Sequence, residues 1–272
     1  MSKHGDKIRV PDLLEMKLTA RKITMLTAYD ATMACLMDRA GIDVLLVGDS
    51  LGMVVLGGDT TVGVTLDMMV HHCRAVANGA ARALVVGDLP FLTYHTSVAE
   101  AIRNAGRLIQ CGGAAAVKIE GGASTSGVVR ALTDAGIPVM GHLGLLPQHI
   151  HRLGGFRAVG KSREEAEQLV VDAHTLEDAG AFALVLESIP AELARRVTSE
   201  LAIPTIGIGA GPHCDGQVLV CYDMLGLSQG GAPPFVRKYA ELGEAVASAA
   251  KEFAADVREG RFPASAPAKE KK

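Results

Sequence analysis

Asp43-Val-Leu-Leu-Val-Gly-Asp-Ser-Leu-Gly52 is the stretch around which the chain is organised. Four consecutive apolar residues, Val44 to Val47, are followed by Gly48 and then Asp49-Ser50. An apolar run this short reads as a strand buried on both faces, as in a parallel sheet. Its C-terminal end presents a carboxylate and a hydroxyl. The arrangement recurs: Ala83 to Gly87 leads into Asp88, Ala114 to Val117 into Lys118-Ile119-Glu120, and Ala181 to Leu186 into Glu187. Four predicted strands therefore deliver charge at the same end.

Working outward, Pro11-Asp12 opens a helix, Leu13 to Met16, placed as a plug before a first strand, Ile23 to Thr27. Helices are predicted over Ala31 to Ala40, from Thr65 to about Gly79, from Ser97 to Gln110, from Ser124 to Ala135 and from Pro190 to Thr198. Ser162-Arg-Glu-Glu165 has the pattern of a capping box ahead of a further helix that reaches Ala179. Ile137 to Met140, ending in Gly141-His142, together with Thr205 to Ile208 and Val218 to Cys221, completes a set of eight strands alternating with helices. Alternating βα units demand a parallel sheet, and eight of them in 272 residues fit a closed (β/α)₈ TIM barrel, which takes about 250. The expectation is one barrel domain over residues 1–272, with a loose N-terminus over 1–7 and a disordered Ala-, Pro- and Lys-rich tail over 258–272. The connection from Leu143 to Lys161 has no clear period and is long enough to suggest a functional lid.

A formal charge of −3 offers no basic face for nucleic acid. No run is long and apolar enough for a membrane span, and the first residues lack the apolar core of a signal peptide. Five cysteines, odd in number and without a C-x-x-C pair, indicate neither a disulfide framework nor a zinc knuckle, so a reducing cytoplasm is the expected setting.

A parallel barrel builds its active site at the C-terminal ends of its strands, where Asp49, Asp88, Glu120 and Glu187 all fall. Clustered carboxylates repel one another, so they call for a cation, and hard oxygen ligands in this number favour magnesium. Lys118, two residues before Glu120 and so on the same strand face, supplies a positive group for an anionic substrate. His142, at a strand end, is kept as an active-site candidate beside the plainer reading of a hydrogen-bonding residue.

Other signals are weaker. Gly155 to Ser162 matches the phosphate loop G-x-x-x-x-G-K-S, but no apolar strand precedes it, and the motif requires one. Gly207-Ile-Gly-Ala-Gly211 sits where many barrels hold a phosphate, and reads more simply as a tight turn. His71 and His72 face different ways on a helix, His149 and His151 read as solvated loop residues, and Met33, Met37, Met68 and Met69 read as packing residues.

Taken together, T-A-Y-D (27–30), V-G-D-S-L-G-M (47–53), D-L-P-F (88–91), V-K-I-E-G-G (117–122), G-H-L-G-L-L-P-Q (141–148), V-L-E-S-I-P (185–190) and I-P-T-I-G-I-G-A-G (203–211) closely resemble the ketopantoate hydroxymethyltransferase family, in colinear order over roughly residues 8 to 255. The resemblance implies a (β/α)₈ barrel, a homodecameric assembly, and transfer of a hydroxymethyl group from 5,10-methylenetetrahydrofolate to 3-methyl-2-oxobutanoate in pantothenate synthesis, with magnesium. It implies that Asp49, Asp88 and Glu120 lie at the metal, the last two through water in some states, and that Asp49, Ser50, Asp88 and Lys118 form the keto-acid site. Glu187 would take the proton. Gly58 stands where the family commonly has His, and L-L-P-Q replaces L-T-P-Q, which bears on local loop and folate contacts only. Two rivals are a lyase or phosphonomutase of the isocitrate-lyase type, whose K-K-C-G-H-type loop is absent here, and a barrel that binds a keto acid without catalysis. An intact base at Glu187 speaks against the second.

Overall fold

In the computed structural model, residues 7–155, 157–228 and 231–263 are described. Eight parallel strands pair in chain order: β1 (Ile23–Thr27), β2 (Val44–Val47), β3 (Leu84–Asp88), β4 (Ala116–Glu120), β5 (Val139–Gly144), β6 (Ala183–Glu187), β7 (Thr205–Ile208) and β8 (Gly216–Leu219). β8 returns to pair with β1, so the sheet closes into the barrel expected from the sequence. Every residue of β2, β3 and β4 is buried, as the continuous apolar runs require when one face meets the barrel interior and the other the surrounding helices.

The interior is filled by period-two positions. Val44 and Leu46, Leu84 and Val86, Ala116, Met140, Ala183 and Val185, Ile206 and Val218 form one cluster, closed at one end by Leu13 and Met16. Those two residues come from the helix Val10–Leu18, with proline in its first turn, which is the plug predicted ahead of β1. Continuing the alternation toward the strand ends gives Asp88 on β3, Lys118 and Glu120 on β4, His142 on β5 and Glu187 on β6. The barrel core and the charged cluster thus occupy successive layers of one inward face.

Local signals placed most helix starts. Thr65, Ser97 and Ser162 each accept a hydrogen bond from the backbone three residues on. Glu165, however, turns its carboxylate to the N–H groups of Gly160 and Lys161. Two amides of the phosphate-loop look-alike are therefore taken by the protein's own acid, and among the described residues it is the helix Ile150–Leu153, not a strand, that precedes the loop. Strand limits moved where inward residues are polar or glycine: β5 runs on through His142 to Gly144, and β8 begins at Gly216 and ends at Leu219. Cys221, read as the end of β8, instead starts the short helix Cys221–Met224. β3, β4 and β6 each begin later than their apolar runs do. Within the predicted lid lie a turn over Pro147–His149 and a helix over Ile150–Leu153. Met37 and Met69 are core residues as read, but Met68 is exposed. His149 is half buried against His95, 6.5 Å between ring centres, rather than solvated, and burial lowers its pKa.

The chain divides into two compact units, one through Cys221 that holds the whole barrel and one from Tyr222 onward. The second contains the helix Leu242–Arg258, none of whose residues is buried. Most of the N-terminal segment and of the tail read from the sequence, residues 1–6 and 264–272, lies outside the described residues.

Candidate active site

Strand register brings the charged residues together in pairs. Asp88 on β3 is the neighbour of Lys118 on β4, and Glu120 on β4 is the neighbour of His142 on β5. Gly144 pairs with Glu187 across β5 and β6, and a Cβ at Gly144 would lie 2.2 Å from the Glu187 carbonyl oxygen. Glycine, here at φ +95°, is what lets the two strand ends approach and Leu145 N–H donate to that carbonyl at 2.9 Å. Asp49 lies one residue beyond the inward Gly48, and its backbone N–H donates to Asp88 Oδ2 at 3.1 Å. A side chain at Gly48 would press on Ser50 Oγ at 2.8 Å, so the small residue leaves room for both the hydroxyl and the neighbouring carboxylate.

Asp49, Asp88, Lys118, Glu120 and His142 are each at most 4% exposed. Lys118 Nζ lies 2.6 Å from Asp88 Oδ1, a charge contact that is not aligned as a hydrogen bond. Burial alone would push the lysine down, but Asp88, Glu120 and Asp49 together hold its ammonium above the ordinary lysine range. Burial, and then the charge of Asp88, pushes Asp49 up to about 7. Burial and Asp49 likewise raise Glu120 well above the usual carboxylate range. One lysine therefore does not balance the three acids, and the layer favours an added positive charge.

His142 Nε2 stands 3.1 Å from Glu187 Oε2 and Nδ1 stands 3.7 Å from Glu120 Oε1, neither aligned as a hydrogen bond. Burial lowers the histidine pKa, so the ring is neutral at neutral pH. Glu187 is the acid nearest solvent, with its side chain 16% exposed. Ser50 Oγ lies 2.8 Å from the Tyr29 hydroxyl. All seven residues singled out from the sequence are thus carried by the C-terminal ends of β2 to β6.

Three further residues belong to this layer and were not singled out. Gln148 lies between Asp49 and Glu120, the Tyr94 hydroxyl reaches both Gln148 and the Glu120 backbone, and the buried Thr61 hydroxyl adjoins Asp49. Gln148 closes the quoted segment 141–148, but nothing local in Pro147-Gln148 announces a contact 99 residues away.

The chain matches the family model described as ketopantoate hydroxymethyltransferase over residues 7–265. A 3-methyl-2-oxobutanoate hydroxymethyltransferase of Moorella thermoacetica is 57% identical over 94% of this chain and 96% of its own length. One from Pelobacter propionicus is 54% identical over 97% of both. Among solved structures, a phosphonopyruvate hydrolase complex with oxalate and Mg++ has a TM-score of 0.63 at 14% identity, covering 96% of this chain and 92% of that one. A 2,3-dimethylmalate lyase of the PEP mutase/isocitrate lyase superfamily has a TM-score of 0.60 at 19% identity, over 96% of this chain and 90% of that one. At such identities these two speak for the barrel alone, whereas the family match spans nearly the whole sequence. The chain belongs to the ketopantoate hydroxymethyltransferase family.

Proposed function

We propose that this barrel transfers a hydroxymethyl group from 5,10-methylenetetrahydrofolate to 3-methyl-2-oxobutanoate, giving 2-dehydropantoate, with magnesium held at the ends of β2 to β4. The observation that carries the reading is the buried layer of Asp49, Asp88 and Glu120 around a single lysine, with Glu187 set apart beside a neutral histidine. The donor set fits the ion: all three are hard oxygen ligands, and two of them are raised by burial and mutual repulsion that a cation relieves. Among the described residues no group of three His, Cys, Asp or Glu side chains is gathered as a ready cage. Magnesium commonly takes only one or two carboxylates and fills its octahedron with water and substrate oxygens. By the family resemblance, Asp49, Asp88 and Glu120 would hold the ion, with water and substrate oxygens completing its shell.

When bound, magnesium supplies a Lewis acid that polarises the keto oxygen of a chelated 2-oxo acid. Lys118 and the Ser50 hydroxyl face the substrate carboxylate, and Tyr29 fixes the hydroxyl. Glu187 accepts the C3 proton on a carboxylate oxygen; water releases the one-carbon unit from the two folate nitrogens as formaldehyde, leaving tetrahydrofolate, and the electron pair at C3 forms the new C–C bond as the formaldehyde C=O π bond breaks, its oxygen taking the proton back to become the product hydroxyl. His142, neutral and 3.1 Å away, adds no charge beside that carboxylate. The lyase-type rival shares only the barrel, at 14% and 19% identity.

The role of Lys118 is tested by Lys118→Met, which keeps the stem and removes the charge. Keto-acid binding should weaken by roughly tenfold or more, the scale of a charged hydrogen bond, while folate binding changes little. Equal losses for both ligands would show a general structural role instead.

The assembly is a homo-oligomer, decameric by resemblance. The helix Leu242–Arg258 buries no residue, and Val246, Phe253, Val257 and the following Phe262 are exposed in the second unit. Light scattering at micromolar concentration should find no monomer, and a stable monomer would overturn this. No helix among the described residues is long and apolar enough to cross a membrane, and the cytoplasm is the proposed setting.

A further inference from the structure

Gln148 is 3% exposed, sits among the carboxylates and takes no part in the chemistry above. Its Nε2 donates to Asp49 Oδ2 at 2.9 Å and to the Leu89 carbonyl at 3.0 Å. Both partners are acceptors, which fixes the orientation of the amide: a flip would set its oxygen against a carboxylate and a carbonyl. Oε1 then faces the Tyr94 hydroxyl at 2.8 Å. That hydroxyl is also 3.0 Å from the Glu120 carbonyl, so its single proton serves one acceptor at a time, while its oxygen accepts Glu120 N–H at 3.2 Å. The backbone N–H of Gln148 itself donates to Glu120 Oε2 at 3.0 Å.

One residue therefore grips Asp49 with its side chain and Glu120 with its main chain. It lies in the turn Pro147–His149, which runs directly into the helix Ile150–Leu153. We propose that Gln148 is a positioning residue that seats the Pro147–Leu153 segment and the Asp49–Glu120 pair as one unit. The proposal rests on the cation reading for its ligand. A cation that fixes both carboxylates fixes the two acceptors on which the segment hangs. Linkage then requires the reverse, so that a seated segment favours cation binding by the same factor. Tyr94 braces the amide from the opposite side, and its ring is itself buried.

The test uses the full chain with magnesium and 3-methyl-2-oxobutanoate as probes, and Gln148→Met, which retains length and removes the side-chain hydrogen bonds. Two readouts are taken: magnesium affinity by calorimetry in the presence of the keto acid, and the rate of tryptic cleavage after the exposed Arg152. In the unsubstituted protein the two ligands together should slow that cleavage by about tenfold, within the ordinary range of coupling between sites. In Gln148→Met the protection should shrink to about twofold or less, and magnesium affinity should fall by about 10- to 100-fold, as for other residues that hold a metal's ligands. Tyr94→Phe, which removes one hydroxyl and keeps the ring, should show a smaller loss of both and decides the matter if Gln148→Met does not fold. Normal affinity with full protection in the folded variants would overturn the proposal. If the unsubstituted protein bound no magnesium, the cation reading would fail by itself. The seating would still be decided, because Gln148→Met should speed ligand-free cleavage after Arg152, and an unchanged rate would overturn it.

Discussion

Glu187→Gln should still bind magnesium and keto acid with near-normal affinity, yet exchange of the substrate's C3 proton into deuterated buffer should fall by about 10² or more, the usual scale for losing a general base. The substitution keeps the shape and removes the basic lone pair. Glu187 suits the task because it is set apart from the other acids. Asp88 faces Lys118 at 2.6 Å, Asp49 accepts from Gln148, and Glu120 accepts from the Gln148 backbone. Among the described residues the ion-pair partner within reach of Glu187 is the neutral His142, and its side chain retains 16% exposure, so a proton can pass on to solvent. Should Glu187→Gln exchange the proton normally but make no product, the residue would belong to the one-carbon transfer, and His142 would become the better candidate for the base.

The second large effect is expected at Asp49. Asp49→Ala should abolish magnesium-dependent activity, by more than the 10- to 100-fold seen for residues that merely hold a ligand in place, while the barrel stays folded. Two opposing changes act on stability. Removing the carboxylate relieves the burial and repulsion that push Asp49 up to about 7. It also strips Gln148 Nε2 of one acceptor, a buried donor left wanting at a cost of about 1–3 kcal/mol. The Leu89 carbonyl still accepts from the same nitrogen, so the net change in stability should be small. Calorimetry checks the binding and a melting curve checks the fold. Unchanged magnesium and keto-acid binding would show that Asp49 is not the ligand.

Much of this was legible because period-two alternation and short apolar runs are local signals. β1, β2 and β7 were bounded from the sequence, and the inward face that carries Val86 and Ala116 in the core carries Asp88, Lys118 and Glu120 one layer higher. The same logic explains the misses. The apolar pattern ends β5 at Met140 because Gly141, His142 and Gly144 look like loop, although the ladder to β6 continues through Gly144 and Glu187. The spacing Ser162 to Glu165 predicts a capping box, but the Glu165 carboxylate finds the amides of Gly160 and Lys161. Gln148, Tyr94 and Thr61 carry no periodic or spacing signature. Their place follows from barrel closure, which sets Gln148 against Asp49 across 99 residues of chain. The helix Leu242–Arg258 lies past the last strand, where the barrel pattern no longer guides the reading.

The central claim is that the strand-end acids hold magnesium so that Glu187 can remove the C3 proton of a 2-oxo acid before any folate takes part. Its most direct test is proton exchange at C3 of 3-methyl-2-oxobutanoate in deuterated buffer, followed by NMR with the unsubstituted protein and no folate. Exchange should be rapid with magnesium, should stop when the ion is chelated, and should return when magnesium is restored. Exchange at the same rate with and without the ion, or no exchange until folate is added, would contradict it.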